Sequence, residues 1–184
     1  DETVLKEISF SINRGDKIRI TGENGKSTLI KIVCGLLKNY KGDIYLNGDD
    51  FKAVNVIKWR QIISYAPQTP YLFRTTVREN ITFDDDTLLS ENAEKLMNAF
   101  SILPLAEKQV TADNDLSGGE KQKISIIRAL LRKSDILILD EPTNHLDAGS
   151  IDFLRQWLSN EPRTVIIITH SHELDDVISK CLNI

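Results

Sequence analysis

Two cysteines, one methionine and three histidines in 184 residues leave little material for a disulfide scaffold or a cage of soft metal ligands. Cys34 and Cys181 stand far apart and lack metal-ligand spacing, so they read as free thiols of a reducing compartment. Long apolar runs are missing as well. Stretches such as Val165 to Ile168 last only a few residues, against the ~20 a bilayer-spanning helix requires. No basic stretch followed by an apolar one opens the chain, so secretion has no support. Charge of one sign is also lacking: 23 basic and 27 acidic side chains are intermixed for a net charge of −4. That balance gives no electrostatic case for a DNA, RNA or anionic-lipid surface, and no nucleic-acid partner is expected. Internal repeats and low-complexity tracts are absent. What is present, 41% hydrophobic and 27% charged residues, suits one globular domain with a sizeable core.

The apolar residues fall into alternating strand and helix patterns. Val4, Leu5, Ile8, Phe10 and Ile12 already read as a strand, which leads to the expectation that the domain starts upstream of Asp1 and continues past Ile184. Ile18 and Ile20 form a second strand before a glycine turn, and helical spacing then runs through Leu29, Ile30, Ile32, Val33, Leu36 and Leu37. Gly42 to Gly48 reads as an extended segment of a small antiparallel sheet, and Ile62 to Ala66 as a strand stopped by Pro67. From Thr76 to about Leu105 the pattern turns helical, with Leu88, Leu89, Ala93, Leu96, Met97 and Phe100 apolar. Gly118 and Gly119 open a long helix through Ile124, Ile127, Leu130 and Leu131, and Ile151 to Leu158 forms another. Ile136 to Leu139 and Val165 to Ile168 fit buried parallel strands. The expected class is α/β, mostly parallel, with a small antiparallel region and an inserted helical subdomain.

Three segments carry candidate chemistry. Thr21 to Thr28, TGENGKST, lies between a strand and a helix, where backbone N–H groups and the helix N-terminus can hold phosphate. Lys26 would neutralise phosphate oxygens and Ser27 would reach a magnesium ion. Only Glu23 and Asn24 separate Gly22 from Gly25, however, so the loop is two residues short of the phosphate-loop pattern. A deletion or residues missing from the sequence would each account for that, and the second is favoured. The second segment, Ile136 to Glu141, ends a buried strand on Asp140, placed for hydrated magnesium, and Glu141, placed to orient or deprotonate water. The third, Leu116 to Gln122, sets Ser117, Gly118 and Gly119 at a helix start, where donors stay open to an anion.

LSGGEKQ followed by ILILDEPTNHLD resembles the signature, Walker B and D-loop segments of the ABC ATPase family, and the similarity runs over essentially the whole chain. The resemblance implies a single nucleotide-binding domain over 1–184, with a core of 1–69 and 116–184 and a helical insertion at about 70–115. It implies ATP and Mg2+ as cofactors and a head-to-tail partner domain that shares two ATP molecules. Gly22, Asn24, Gly25, Lys26, Ser27 and Thr28 then correspond to phosphate-loop contacts, with Ser27, Gln68 and Asp140 on the magnesium side. Glu141 corresponds to the catalytic base, His170 to a histidine that senses the γ-phosphate, and Gln68 to the glutamine linking site and insertion. Ser117, Gly118 and Gly119 would meet the partner's ATP, with Asp147 in the D-loop. His145 and His172 read as turn or helix-start residues, Trp59 and Trp157 as packing residues, and Asp84-Asp85-Asp86 as a solvated turn.

Trp59 to Ile81, with SYAPQTPYLFRTTVRENI inside it, resembles exporters, which implies a permease segment before Asp1 and a place on the cytoplasmic face of the cell membrane. TNHLD also occurs in soluble family members acting on ribosomes, and Thr111 to Asp115 lacks an element that exporters often carry before the signature. A ribosome-associated ATPase, or a non-catalytic nucleotide module if the short loop is genuine, therefore stays open beside the exporter reading.

Overall fold

The structure, a computed structural model, describes residues 5, 7–83, 91–112 and 114–184. Val4, the Asp84-Asp85-Asp86 turn and the apolar positions Leu88 and Leu89 lie outside the described residues. In chain order the elements are β1 (Lys17–Thr21), α1 (Lys26–Val33), β2 (Tyr45–Leu46), β3 (Asp49–Asp50), α2 (Val56–Gln61), β4 (Ile63–Ala66), α3 (Val77–Thr82), α4 (Glu91–Ala99), α5 (Gly118–Leu131), β5 (Ile136–Asp140), α6 (Ala148–Ser159), β6 (Thr164–Ile168) and β7 (Lys180–Asn183). Five strands form one sheet in the order β4-β5-β6-β1-β7, with every neighbouring pair parallel. The expected α/β class with a mostly parallel sheet is the observed one. β2 and β3 form the small antiparallel hairpin, turned by Asn47 and Gly48 at φ 52° and 91°, the left-handed pair that a two-residue hairpin turn needs.

Side-chain alternation splits the sheet into two dry faces. Leu137 and Leu139 of β5 and Val165 and Ile167 of β6 point into a cluster with α3, α4, α5 and α6, where Ile81, Met97, Phe100, Ile127 and Leu154 are buried. Ile138, Ile166, Ile168, Ile18 and Ile20 point the other way, against Leu29 and Ile30 of α1 and Trp59 of α2. Helices on both faces of a parallel sheet make its strands apolar throughout, the pattern that β5 and β6 show in sequence. Trp59 and Trp157 serve packing, as expected. The Trp59 indole is 3% exposed and donates to the Val33 carbonyl at 2.6 Å, while Trp157 packs on the larger cluster under the Arg163 guanidinium. Cys34 is buried, Cys181 is exposed, and both are free thiols.

Several expectations require correction. The described part of the first apolar stretch forms no strand: Leu5 and Ile12 pack sideways on the α1-face cluster and Phe10 is 40% exposed. Alternation specifies a strand only where a neighbouring edge takes its hydrogen bonds, and the β2–β3 hairpin pairs only with itself. The first helix stops at Val33, short of Leu36 and Leu37. Gly35, at φ 67°, donates to Ile32 O and Leu36 donates to Lys31 O, a glycine stop that turns both leucines outward. α2, started by the Asn55 side chain accepting from Ile57 N, and the edge strand β7 are elements that the apolar pattern does not reveal. β7 shows exposed residues at three of its four positions, which leaves no alternation to read.

Leu139 is fully buried between β5 and the larger cluster. Leu139→Ala is expected to lower the unfolding free energy by about 2–5 kcal/mol through lost transfer energy and a residual cavity, read from the urea midpoint; a change within error would contradict the assigned core.

Candidate functional site

Parallel pairing lines up the carboxyl ends of β4, β5, β6 and β1, and the sequence-predicted residues of the segment 22–28, Gln68, Asp140, Glu141 and His170 lie at or follow those ends. After β1 the chain turns at Gly22 and passes through Glu23 and Asn24, both exposed, to Gly25, which begins α1 at φ 94° with no side-chain cap. A side chain at Gly22 would overlap the Ile184 carbonyl, so the position tolerates only glycine. Leu29 N–H bonds to Gly25 O at 2.8 Å, so the chain enters α1 in one unbroken turn. The first N–H groups of that turn, from Lys26 to Thr28, have no intrahelical acceptor. Lys26 Nζ reaches back to the Gly22 carbonyl and lies 3.1 Å from His170 Nε2, joining the loop after β1 to the end of β6.

At the end of β5, Asp140 is 4% exposed and its Oδ2 accepts the Tyr65 hydroxyl at 3.1 Å. Burial pushes its carboxyl above the usual aspartate value. The neighbouring Glu141 charge adds to the rise, while the Tyr65 hydroxyl, the Lys26 charge and the Gln68 backbone N–H oppose it. The Tyr65 phenol is likewise pushed up, first by burial and then by the Asp140 charge. Glu141 is buried with φ 47°, a left-handed conformation that costs a residue with a β-carbon on the order of 1–2 kcal/mol. Two contacts with the end of β6 hold it there: its N–H donates to Ile168 O at 2.7 Å and its Oε2 accepts the Thr169 hydroxyl at 3.1 Å. The Gln68 side chain is exposed, as is Ser27, while Thr28 is half-buried at the first turn of α1.

Ser117, Gly118, Gly119 and Asp147 belong to a second group. The Ser117 hydroxyl accepts from Glu120 N at 3.2 Å, and the Glu120 carboxylate accepts Ser117 N–H at 2.6 Å, a reciprocal cap that starts α5. Gly118 faces open space, whereas a β-carbon on Gly119 would come within 2.6 Å of the His145 carbonyl. His145 itself sits in a left-handed turn at φ 64°, and His172 lies on the surface beside Asp175 and Arg19. Asp147 starts α6 by accepting Ser150 N–H at 2.9 Å and the Ser150 hydroxyl at 3.0 Å, and it also takes Lys123 Nζ at 2.5 Å. Lys123 first, then the Ser150 backbone, holds the Asp147 carboxyl well below its usual range. Sequence reasoning missed Tyr65, Thr169 and Lys123. Each acts only through a partner brought near by the fold, and Thr169 alone carried a hint, as a hydroxyl beside His170.

A family model described as ABC transporter matches residues 5–144, most of the chain. The chain belongs to the ABC transporter family. Among relatives, a colicin V secretion/processing ATP-binding protein of Escherichia coli is 30% identical over 98% of this chain and 27% of its own length. An ABC transporter protein of Haemophilus influenzae named as ATP-binding/permease is 34% identical over 94% of this chain and 33% of its own. A solved bacterial Atm1-family ABC exporter with ATP bound superposes with a TM-score of 0.87 at 26% identity, over 98% of this chain and 34% of that one. The chain thus spans about a third or less of these proteins. It is an ABC transporter ATP-binding domain, similar to those of the exporter and the secretion protein, and such ABC domains are ATPases. These relatives do not favour the ribosome-associated reading. No helix among the described residues is long and apolar enough to cross a membrane.

The two glycines at the start of α5 separate by substitution. Gly119→Ala is expected to cost about 1–3 kcal/mol through the clash with the His145 carbonyl, while Gly118→Ala stays neutral or gains up to about 1 kcal/mol from helix propensity. Urea unfolding of both variants checks this, and equal effects would contradict the packing described.

Proposed function

We propose that this domain binds Mg-ATP at the strand ends, hydrolyses it in a head-to-tail dimer, and drives a permease from the cytoplasmic face of the cell membrane. The observation that carries the reading is the convergence of Lys26, His170, Asp140 and Glu141 beside the N-terminus of α1. Gly22, Asn24, Gly25, Lys26, Ser27 and Thr28 would surround the phosphates, with open N–H donors and the Lys26 charge facing the anion.

Magnesium suits the donors here, since Ser27, Gln68 and Asp140 offer hard oxygens and the buried Asp140 carboxylate has its charge opposed by desolvation, which a cation would relieve. No cluster of three or more His, Cys, Asp or Glu side chains is placed to hold a metal among the described residues. When bound, the ion would neutralise charge that builds on the β- and γ-phosphate oxygens. Glu141 would orient a water and take its proton as the oxygen attacks the γ-phosphorus. The bond to the β-phosphate oxygen then breaks, giving ADP and phosphate. His170, on Lys26, would report the γ-phosphate.

The partner would contribute its own counterparts of Ser117, Gly118, Gly119 and Asp147 to this site, and the same residues here would serve the partner's nucleotide. The domain reads as a core of 1–69 and 116–184 with a helical insertion at about 70–115. Near the start of that insertion, Tyr71, Phe73 and Phe83 stand exposed edge to edge, with ring centroids 5.2 and 5.7 Å apart, an apolar surface suited to loops of membrane helices. The short loop after Gly22 motivates one competitor, a nucleotide-responsive module without turnover.

Glu141→Gln is expected to keep ATP-dependent dimerisation, seen by size-exclusion chromatography with light scattering, while hydrolysis falls by about 10²–10⁴-fold. Undiminished turnover would remove Glu141 as the base. A native chain that binds ATP without releasing phosphate would establish the competitor.

A further inference from the structure

Asp140 has two carboxylate oxygens, and the fold commits one of them. β4 and β5 are parallel with Tyr65 opposite Ile138, two residues before Asp140. Side chains two apart on a strand share a face, so Tyr65, Ile138 and Asp140 point to the α1 side of the sheet. The distance from residue 138 to residue 140 along β5 is roughly 6–7 Å at the usual strand rise, a span that a tyrosine covers from its backbone to its para hydroxyl. That hydroxyl donates to Asp140 Oδ2 at 3.1 Å. Oδ1 is left free of the hydroxyl, and the Lys26 charge and a hydrogen bond from the Gln68 backbone also act on the carboxylate.

We propose that Tyr65 is a positioning residue for metal-nucleotide binding: its hydroxyl holds the Asp140 carboxylate in the one rotamer that presents its other oxygen to the hydrated magnesium of Mg-ATP. The inference rests on the reading of the strand ends as an Mg-ATP site. It assigns the metal dependence of that site to a residue of the neighbouring strand that touches neither phosphate nor metal. Without this donor the carboxylate keeps the Gln68 backbone bond but turns more freely about its side-chain bonds before it meets the cation, which is how the loss of a partner behind a metal ligand commonly acts.

The test is Tyr65→Phe, which removes one oxygen and keeps the ring packed against the α1 face. ATP binding to the 184-residue chain is measured by calorimetry, first in EDTA and then over a series of Mg2+ concentrations, for the native chain, Tyr65→Phe, Asp140→Asn and the double variant. The expected result is equal affinity for ATP in EDTA, and an Mg2+ concentration for half-maximal enhancement raised about tenfold by Tyr65→Phe. In the Asp140→Asn background the same change should add nothing, because the two residues act as one unit. An unchanged Mg2+ dependence in Tyr65→Phe, a loss of ATP affinity already present in EDTA, or an additive effect with Asp140→Asn would each overturn the assignment. A native chain that binds no ATP under either condition would overturn the nucleotide-site reading together with it.

Discussion

Everything at the candidate site depends on the register of four parallel strands. Ile20 and Asp140 both pair with Ile168, and Ala66 pairs with Leu139, so β1, β4, β5 and β6 end within about one residue of each other. The residues that follow are therefore neighbours in space although they lie far apart in sequence: the Gly22 turn, Pro67-Gln68, Glu141 and Thr169-His170. A slip of one residue in β5 would swing Asp140 to the opposite face and bring Leu139 to the α1 side. The two-sided apolar packing of β5 and β6 resists that slip along their length, and the bond from Glu141 N–H to Ile168 O pins it at the end.

The strained Glu141 is held in place from both sides. β6 grips it through Ile168 O and the Thr169 hydroxyl, and on the α5 side the Gln122 amide lies 3.5 Å from its carbonyl. α5 also meets the turn that follows, through Gly119 under the His145 carbonyl and Lys123 on Asp147. The segment from Glu141 to Asp147 is thus packed as a unit with the helix that Ser117 begins. Within this chain the Ser117 hydroxyl and the Asp147 carboxylate already have structural work, as starters of α5 and α6.

Segments buried on both faces were legible in sequence, because their physics is local. Ile136 to Leu139 and Val165 to Ile168 read as parallel strands since neither face is polar, and the helix opened by Gly118 and Gly119 read correctly from its apolar spacing. Where the outcome depends on a distant partner, the pattern was insufficient. Ile8, Phe10 and Ile12 alternate without forming a strand, and β7 is a strand because β1 offers it an edge. Leu36 and Leu37 continued the helical spacing, but the Gly35 stop overrode it. For the site, the motif residues were readable one by one. Tyr65 was not, since its tie to Asp140 spans 75 positions of sequence and exists only through strand pairing.

The segment after β1 departs from the phosphate-loop pattern, with only Glu23 and Asn24 between Gly22 and Gly25. The central claim is that Lys26 and the start of α1 still hold nucleotide there. Calorimetric titration of the chain and of Lys26→Ala with ATP at fixed, saturating Mg2+ tests it most directly. The account predicts one ATP per native chain, saturating below about 1 mM, with binding severely weakened in Lys26→Ala. A native chain without saturable heat, or a variant that binds equally well, would contradict it.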